Sequence, residues 1–376
     1  MKVKIQCFIG SNHSWSICAQ NIARSLIKKG HDVDLVSTNG IKHFPDDLRP
    51  NLIGYVDDNK QFVGREPDRE YDMQISYTAM KNYPIFLSHG SKNRFGIYTF
   101  EFAGANNSPA LPTGFAKCHQ FCDMILSPST FNTRLFIDSG VPTDKITTIP
   151  HGVDFQQLDQ AAPYPLKTKK TTKIGILIAQ VHRRKNLEGM LTMIGKAFKK
   201  TDDVCVVIKV EDRKPSQQFE LDFNDIFRRF QQKFPNHCEV EVIRNFIPNI
   251  FSFYKSCDII FYATNCEGFG LISLEALATG CINITSNYSG VVDFCNSDNS
   301  LLIDGSVFNV SPNYLYWQSR TGLCAFEPSI DDGVQKLQYA VDNKDVLLAR
   351  ARKNIPYFRE HYNWDTITDQ IISLTK

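Results

Sequence analysis

Two glutamates eight positions apart, Glu267 and Glu275, bracket a Gly-Phe-Gly turn and the opening of a helix-like run. Residues 265–280 read Asn-Cys-Glu-Gly-Phe-Gly-Leu-Ile-Ser-Leu-Glu-Ala-Leu-Ala-Thr-Gly. A turn of this kind leaves backbone N–H groups free at a helix start, where unsatisfied donors and the helix dipole attract phosphate. Were 267–275 wholly helical, the two carboxylates would stand roughly 12 Å apart along the axis, at 1.5 Å per residue. That is the reach from sugar to ribose in a nucleotide-diphosphate sugar. One carboxylate would then meet hydroxyls at each end while the helix start holds the diphosphate. The alternative is an amphipathic helix that happens to carry two surface glutamates. The turn, the alanine-rich helix and the Gly280 stop weigh against coincidence.

A second charged group lies upstream. The stretch Gln180-Val-His-Arg-Arg-Lys-Asn186 follows an apolar run. Transfer of a sugar needs a leaving diphosphate neutralised, and cations in a closed site do this through charge-assisted hydrogen bonds. A merely basic helix start is the other reading, but cations there oppose the dipole unless an anion binds. Glu101 stands alone in the apolar stretch 96–103, where a carboxylate is costly unless paired or in a cleft. It is a candidate for stabilising positive charge on a sugar or for assisting proton removal from an acceptor hydroxyl; the other reading is a structural role such as a helix cap. Ser11 and Asn12, in the first turn, are candidates for a phosphate or acceptor contact. His13, His89 and His151 read as loop histidines.

Alternating strands and helices must position these residues. Residues 2–9 read as a strand, Gly10 to His13 as a turn, and 14–29 as a helix with apolar residues at Ala19, Ile22, Ala23, Leu26 and Ile27. A strand over 32–37 completes a βαβ opening. Further strands are expected at 73–77, 97–100 and 123–129, with a helix over 130–139. A second series starts at 174–179 and continues at 204–210, 239–242, 258–262 and 282–285, with helices at 331–343 and 346–358 and a last one after Asn363. Short apolar strands alternating with helices imply parallel sheets, whose ligands bind at the strands' carboxyl ends. The polar, lysine-rich stretch 156–173 reads as a linker. The predicted class is therefore α/β with two doubly wound, Rossmann-like domains and a cleft between them. Their expected bounds are 1–155 and 174–358, with a C-terminal helix over 359–376.

The Glu267–Glu275 spacing resembles the Glu-x7-Glu motif of family 4 glycosyltransferases, retaining enzymes of GT-B fold. Three further stretches carry the likeness. Pro150-His-Gly-Val-Asp154 resembles the family's interdomain crossing. Lys185 matches the lysine of its Arg-x4-Lys phosphate clamp, although Gln180 stands where the arginine belongs, so that Arg184 or Arg183 must take over the charge or the clamp is weaker. Glu101 resembles the aromatic-Glu of a subset of members at the place that faces the reacting sugar. The region 244–248 matches loosely the one that meets the base. The resemblance implies that Glu267 binds sugar hydroxyls and Glu275 the ribose, while Gly268, Phe269, Gly270, Leu271 and Ile272 hold sugar oxygens and phosphate. It also implies that the terminal helix crosses back to the first domain. The function so implied is a metal-independent, retaining transfer from a nucleotide-diphosphate sugar to an acceptor hydroxyl, on a glycan, lipid or protein. Other readings are a nucleotide-sugar epimerase or phosphorylase on the same fold, and a non-catalytic nucleotide-sugar-binding or partner subunit, to which Gln180 lends its support. A phosphorylase would be much longer and carry a lysine-bound pyridoxal phosphate.

The whole chain sets limits. Its 376 residues suffice for two domains, and a net charge of +2 gives no field for nucleic acid. No apolar run reaches about 18 residues, so no spanning helix is expected, and the amino terminus is not signal-like. Eleven scattered cysteines read as reduced thiols of a cytoplasmic protein. No Asp-x-Asp ends a strand and no cysteine pair has zinc partners, so no metal or cofactor is expected. The aromatic-rich stretch 305–322 is a candidate for an acceptor groove, a peripheral membrane contact, or packing on its own domain.

Overall fold

A computed structural model of the chain describes all residues except 10–13, 39, 42–43, 58–60, 65–69, 88–90, 106–107, 212–220, 312–313 and 315–321. The chain divides into two compact units. The first comprises Met1–Phe100, Asn107–Asp154 and Glu360–Lys376; the second comprises Glu101–Asn106 and Phe155–Arg359.

In chain order the first strands are β1 (Lys2–Cys7), β2 (Asp32–Ser37), β3 (Leu52–Val56), β4 (Phe62–Gly64), β5 (Tyr71–Tyr77), β6 (Ser91–Ile97), β7 (Ala103–Gly104), β8 (Met124–Ser127) and β9 (Ile146–Thr148). All but β7 form one sheet, ordered β4-β3-β2-β1-β5-β6-β8-β9. It is parallel except for the antiparallel edge strand β4. The helix Ser14–Lys28 packs on β1 and β2 and against the last helix, Trp364–Ser373. Lys28 pairs with Asp365 at 2.5 Å and Ser25 donates to the same carboxylate at 2.7 Å.

The remaining strands are β10 (Thr172–Ile178), β11 (Val204–Val210), β12 (Glu239–Ile243), β13 (Ile259–Tyr262), β14 (Ile282–Ser286), β15 (Ser300–Ile303), β16 (Gly305–Asn309) and β17 (Leu323–Pro328). The second unit's main sheet runs β12-β11-β10-β13-β14-β15, parallel throughout. This order reverses direction between β10 and β13, the switch point at which open α/β sheets bind ligands. The strands are near-continuous apolar runs because both faces are covered. Ile174, Ile176, Val206, Ile208, Ile259, Phe261 and Ile284 are fully buried in one core with Met190, Ile194 and Leu337 from the flanking helices. At Gly175 a side chain would meet Cys257 Sγ at 2.8 Å and Ile260 Cδ1 at 2.9 Å, so anything larger than glycine forces these core side chains to shift. A small third sheet, β16-β17-β7, is antiparallel.

Several local expectations change. The strand expected at 97–100 runs earlier, as β6. Its polar first half was not strand-like in pattern because its side chains are tied to neighbours: Asn93 Nδ2 donates to the Asp72 carbonyl at 2.9 Å, and Arg94 pairs with Asp123 at 3.1 Å. The helix expected over 346–358 is two, Lys344–Lys353 and Ile355–His361, parted at Asn354. Pro356 explains the break, since it has no N–H to donate and its ring opposes the carbonyl four residues back. The stretch 156–173 belongs to the second unit. It continues the helix Phe155–Gln160 and is fastened by the Lys167 N–H to the Glu241 carboxylate at 3.0 Å and by the Tyr164 N–H to the Ser252 carbonyl at 2.9 Å. Among the described residues no helix is long and apolar enough to cross a membrane, and all eleven cysteines are free thiols.

Candidate functional site

The segments following β10 and β13 meet at the switch point of the second sheet. After β10 the chain makes a short 3-10 turn, Arg183–Lys185, and reverses at Asn186, whose φ is 52°. Asn186 Nδ2 donates to the Ala263 carbonyl at 2.9 Å, and the Asn265 N–H donates to the Arg184 carbonyl at 2.9 Å. The two segments are thus locked before any side-chain charge is considered. A third segment supports them from β14. Ser289, at φ 67°, accepts from the Glu267 N–H at 2.9 Å, and the Gly290 N–H donates to the Glu267 carbonyl at 2.9 Å. A side chain at Gly290 would meet the Gly268 carbonyl oxygen at 2.3 Å and Phe269 Cα at 2.8 Å. Asn186 and Ser289 are the two non-glycine residues with positive φ among those described. Backbone strain of this kind costs of order 1–3 kcal/mol each and persists where the surroundings enforce it, most often at working sites.

The side chains then converge on one oxygen. Glu267 Oε1 accepts from Lys185 Nζ at 2.7 Å, from Tyr262 Oη at 2.7 Å and from Arg184 at 3.0 Å. Lys185 Nζ also donates to Tyr262 Oη at 2.6 Å, and Arg184 to the Cys266 carbonyl at 2.9 Å. The other terminal nitrogen of Arg184 lies 3.2 Å from Glu101. Glu101 joins the second unit because Ala103 and Gly104 pair with Cys324 and Leu323 of β17, and the Ala105 N–H donates to the Gly322 carbonyl at 2.7 Å. Arg184 and Glu267 are both buried, Glu101 less so. Burial alone would push the Glu267 carboxyl up, but the charges of Lys185 and Arg184 and the hydrogen bonds from Lys185 and Tyr262 overcome it and hold it at about 2. Burial pushes the Lys185 ammonium down, with Glu267 opposing. Burial also lifts the Tyr262 phenol well above its usual range, so it stays a neutral donor to the carboxylate.

The helix Leu271–Thr279 begins after Gly270, at φ 99°, and ends at Gly280, at φ 81°; no side chain caps its start. Gly268, Phe269 and Gly270 are buried in the loop ahead of it, with the Phe269 ring 5.1 Å from Phe294, while Leu271 and Ile272 are half-buried. Since the helix starts only at Leu271, Glu267 lies before it and the axial estimate of the carboxylate separation does not apply. Ser273 Oγ, in the first turn, is buried with no hydrogen-bond partner among the described residues. Glu275 is half-buried and accepts from Tyr254 Oη at 2.6 Å.

The structure therefore brings Arg184, Lys185, Glu267 and Glu101 together. Gln180 is not in this cluster; its side chain meets His182 Nε2 at 2.9 Å. Ser11 and Asn12, with His13 and His89, lie outside the described residues. His151 sits in the first unit, 2.8 Å from Tyr77 Oη. In the 305–322 stretch, β16 and Tyr314 are described; Tyr314 Oη donates to Asn265 Oδ1 at 2.8 Å, and its ring packs edge-on to Phe308 and Phe102. Tyr262, Ser289 and Gly290 were missed. Tyr262 ends an apolar run that reads as core, and Ser289-Gly290 is an ordinary turn signal.

Comparison with known proteins adds an independent line. Residues 161–355, just over half of the chain, match the family described as Glycosyl transferases group 1. The uncharacterized glycosyltransferase MJ1607 of Methanocaldococcus jannaschii is 17% identical, with 96% of this chain and 93% of that protein covered. Among solved structures, Anabaena Alr3699/HepE in complex with UDP and glucose superposes with a TM-score of 0.70 at 12% identity, covering 99% of this chain and 98% of that one. Sucrose-phosphate synthase from Thermosynechococcus elongatus gives 0.71 at 12% identity, with 99% and 98% covered. The fold anticipated from the sequence is the one found, GT-B with two Rossmann-like sheets, and the chain belongs to the group 1 glycosyl transferases.

Proposed function

We propose that the enzyme is a retaining, metal-independent glycosyltransferase of the family 4 kind, moving a sugar from a nucleotide-diphosphate sugar to an acceptor hydroxyl. The observation that carries this reading is the convergence of Lys185 and Arg184 on Glu267, four residues before an uncapped helix start. In it, the amides of Leu271 and Ile272 receive phosphate oxygens, with the Ser273 hydroxyl as a further donor. Lys185 and Arg184 balance the charge that builds on the diphosphate as its bond to the sugar breaks, the part a divalent cation plays elsewhere. Glu267, ionised at any working pH, accepts from sugar hydroxyls, and Glu275 accepts from the ribose. Glu101 stands by for the charge on the sugar carbon or the acceptor proton. The complex of Alr3699/HepE with UDP and glucose supports a donor of this class.

Purified protein incubated with radiolabelled nucleotide sugars and a panel of acceptors tests the reading. Transfer is expected to survive chelator, to retain the anomeric configuration by NMR of the product, and to fall at least about 100-fold in Lys185→Ala. An inverted product, a strict need for added divalent cation, or a Lys185→Ala variant of full activity sinks it.

A further inference from the structure

The cluster is electrically balanced in itself: two cations, Arg184 and Lys185, face two carboxylates, Glu101 and Glu267. A diphosphate brought to those cations adds negative charge to a partly desolvated cluster where like charges repel strongly. One carboxylate must give way. The two are held very differently. Glu267 receives three short hydrogen bonds on one oxygen and lies on a loop strapped at both its N–H and its carbonyl. Glu101 is the more exposed side chain, and its described contact is a single 3.2 Å ion pair to Arg184, on a segment held by a two-residue strand.

Resting on the donor reading above, we propose that Glu101 is a built-in competitor of the diphosphate for Arg184, and so a specificity-determining residue. Paired with Arg184 at 3.2 Å, it neutralises the guanidinium. A nucleoside diphosphate, bearing several charges and gripped also by Lys185 and the helix amides, displaces it. A nucleoside monophosphate, with fewer charges and contacts, displaces it poorly. When the sugar has left, the return of Glu101 to Arg184 favours release of the nucleotide product. Binding by a charge that must first be uncovered discriminates between ligands as well as attracting them.

The sign of the effect makes the test sharp. Calorimetry with uridine, guanosine and adenosine diphosphates and their monophosphates is run on the full-length wild type, Glu101→Gln and Arg184→Gln. The diphosphate preferred by the wild type is expected to bind about two- to fivefold tighter to Glu101→Gln, the range set by loss of one partly exposed ion-pair competitor. The ratio of diphosphate to monophosphate affinity is expected to shrink, and product inhibition to rise. In an Arg184→Gln background the Glu101→Gln gain is expected to vanish, as a double-mutant cycle demands of a direct pair. Should Glu101→Gln melt at a lower temperature than the wild type, Glu101→Ala carries the same expectation. Unchanged or weaker diphosphate binding in both Glu101 variants overturns the inference alone. Absence of binding of every nucleoside diphosphate to the wild type overturns the donor reading and this inference with it.

Discussion

The two sheets of this enzyme share a plan and differ in chemistry at the same topological place. In each, a first strand is flanked by the next strand on one side and by a later strand on the other: β1 lies between β2 and β5, and β10 between β11 and β13. In each, the later strand ends in a buried tyrosine, Tyr77 or Tyr262. Tyr77 reaches a neutral imidazole, His151, inside a cluster of rings in which Trp15 stacks on Tyr77 at 5.5 Å and meets Tyr98 edge-on at 5.7 Å. Tyr262 reaches a carboxylate and an ammonium within a set of four charges. Burial pushes His151 down to about 3, while two cations hold Glu267 at about 2. The fold supplies the place; the residues that follow the strand decide whether it gathers rings or charges.

The largest effect should come from removing the charge that organises the second switch point. Glu267→Ala is expected to lower transfer by at least about 100-fold, comparable to deleting one preorganised polar contact to a transition state. Because it leaves Arg184 and Lys185 buried without their main counter-charge, it should also cost about 3–5 kcal/mol in stability. Activity assays and urea unfolding check both. A Glu267→Ala variant that keeps its stability would mean that the charges of the second unit are as dispensable as a solvated pair.

Acid should separate the two units. The His151 pKa is depressed from 6.5 to about 3, so its contribution is complete above pH 6.5 and is lost as the pH falls through about 3. The Glu267 pKa is depressed from 4.5 to about 2, so its contribution is complete above pH 4.5 and is lost on approach to about 2. At about 1.4 kcal/mol per pKa unit the losses are about 4–5 and about 3 kcal/mol. Hydrogen exchange followed by peptide should show the first unit weakening between pH 6.5 and 4.5 while the second holds. His151→Phe should remove most of that early phase and leave the smaller part due to half-buried His31, whose pKa burial also lowers. Simultaneous weakening of both units above pH 4.5 would break the contrast.

A smaller effect, confined to the second unit, is expected at Gly290. Alanine there presses on the backbone of Gly268 and Phe269, and overpacking of this order costs about 1–3 kcal/mol. Glu267 would shift with its loop, so donor affinity should fall together with the melting temperature. A variant that melts earlier but binds nucleotide normally would show that the loop tolerates the shift.

How much of this was legible in the sequence follows from what each feature depends on. The strands of the second sheet are continuous apolar runs, and Gly270 and Gly280 mark the helix between them, so local pattern suffices. The Lys185–Glu267 neighbourhood was open to inference because both residues follow strands that such a fold sets side by side. Glu101 was assigned with 1–155, whereas it clusters with the second unit. Two paired residues in β7 leave no periodicity to read, and their partners are more than 200 positions away. Tyr262 looked like one more core aromatic, since nothing local tells a phenol that packs from one that bridges Lys185, 77 positions away, to Glu267. Ser289 supports Glu267 from 22 positions away through a conformation that non-glycine residues rarely adopt, and the strain that marks it is visible only in three dimensions.

The finest probe of the contrast is the matched pair Tyr77→Phe and Tyr262→Phe. Each deletes one hydroxyl and keeps the ring, so packing is nearly unchanged and the Lys185–ring contact at 5.3 Å survives. Tyr77 gives up a bond to the neutral imidazole of His151 at 2.8 Å, worth about 1 kcal/mol, and a long, weak one to Thr99 at 3.5 Å, whereas Tyr262 gives up bonds to two charged groups, where about 1.5–3 kcal/mol is usual. Lys185 and Glu267 still touch each other directly at 2.7 Å, which limits the second loss to the lower end of that range. Urea unfolding should therefore rank Tyr262→Phe below Tyr77→Phe in stability by no more than about 1 kcal/mol. The two should part more clearly in function. Without the phenol, Glu267 and Lys185 are each held by one contact fewer, so kcat should fall severalfold in Tyr262→Phe with little change in donor KM. Equal kinetics in the two variants would mean that the hydroxyl merely fills its site, as the ring beside His151 does.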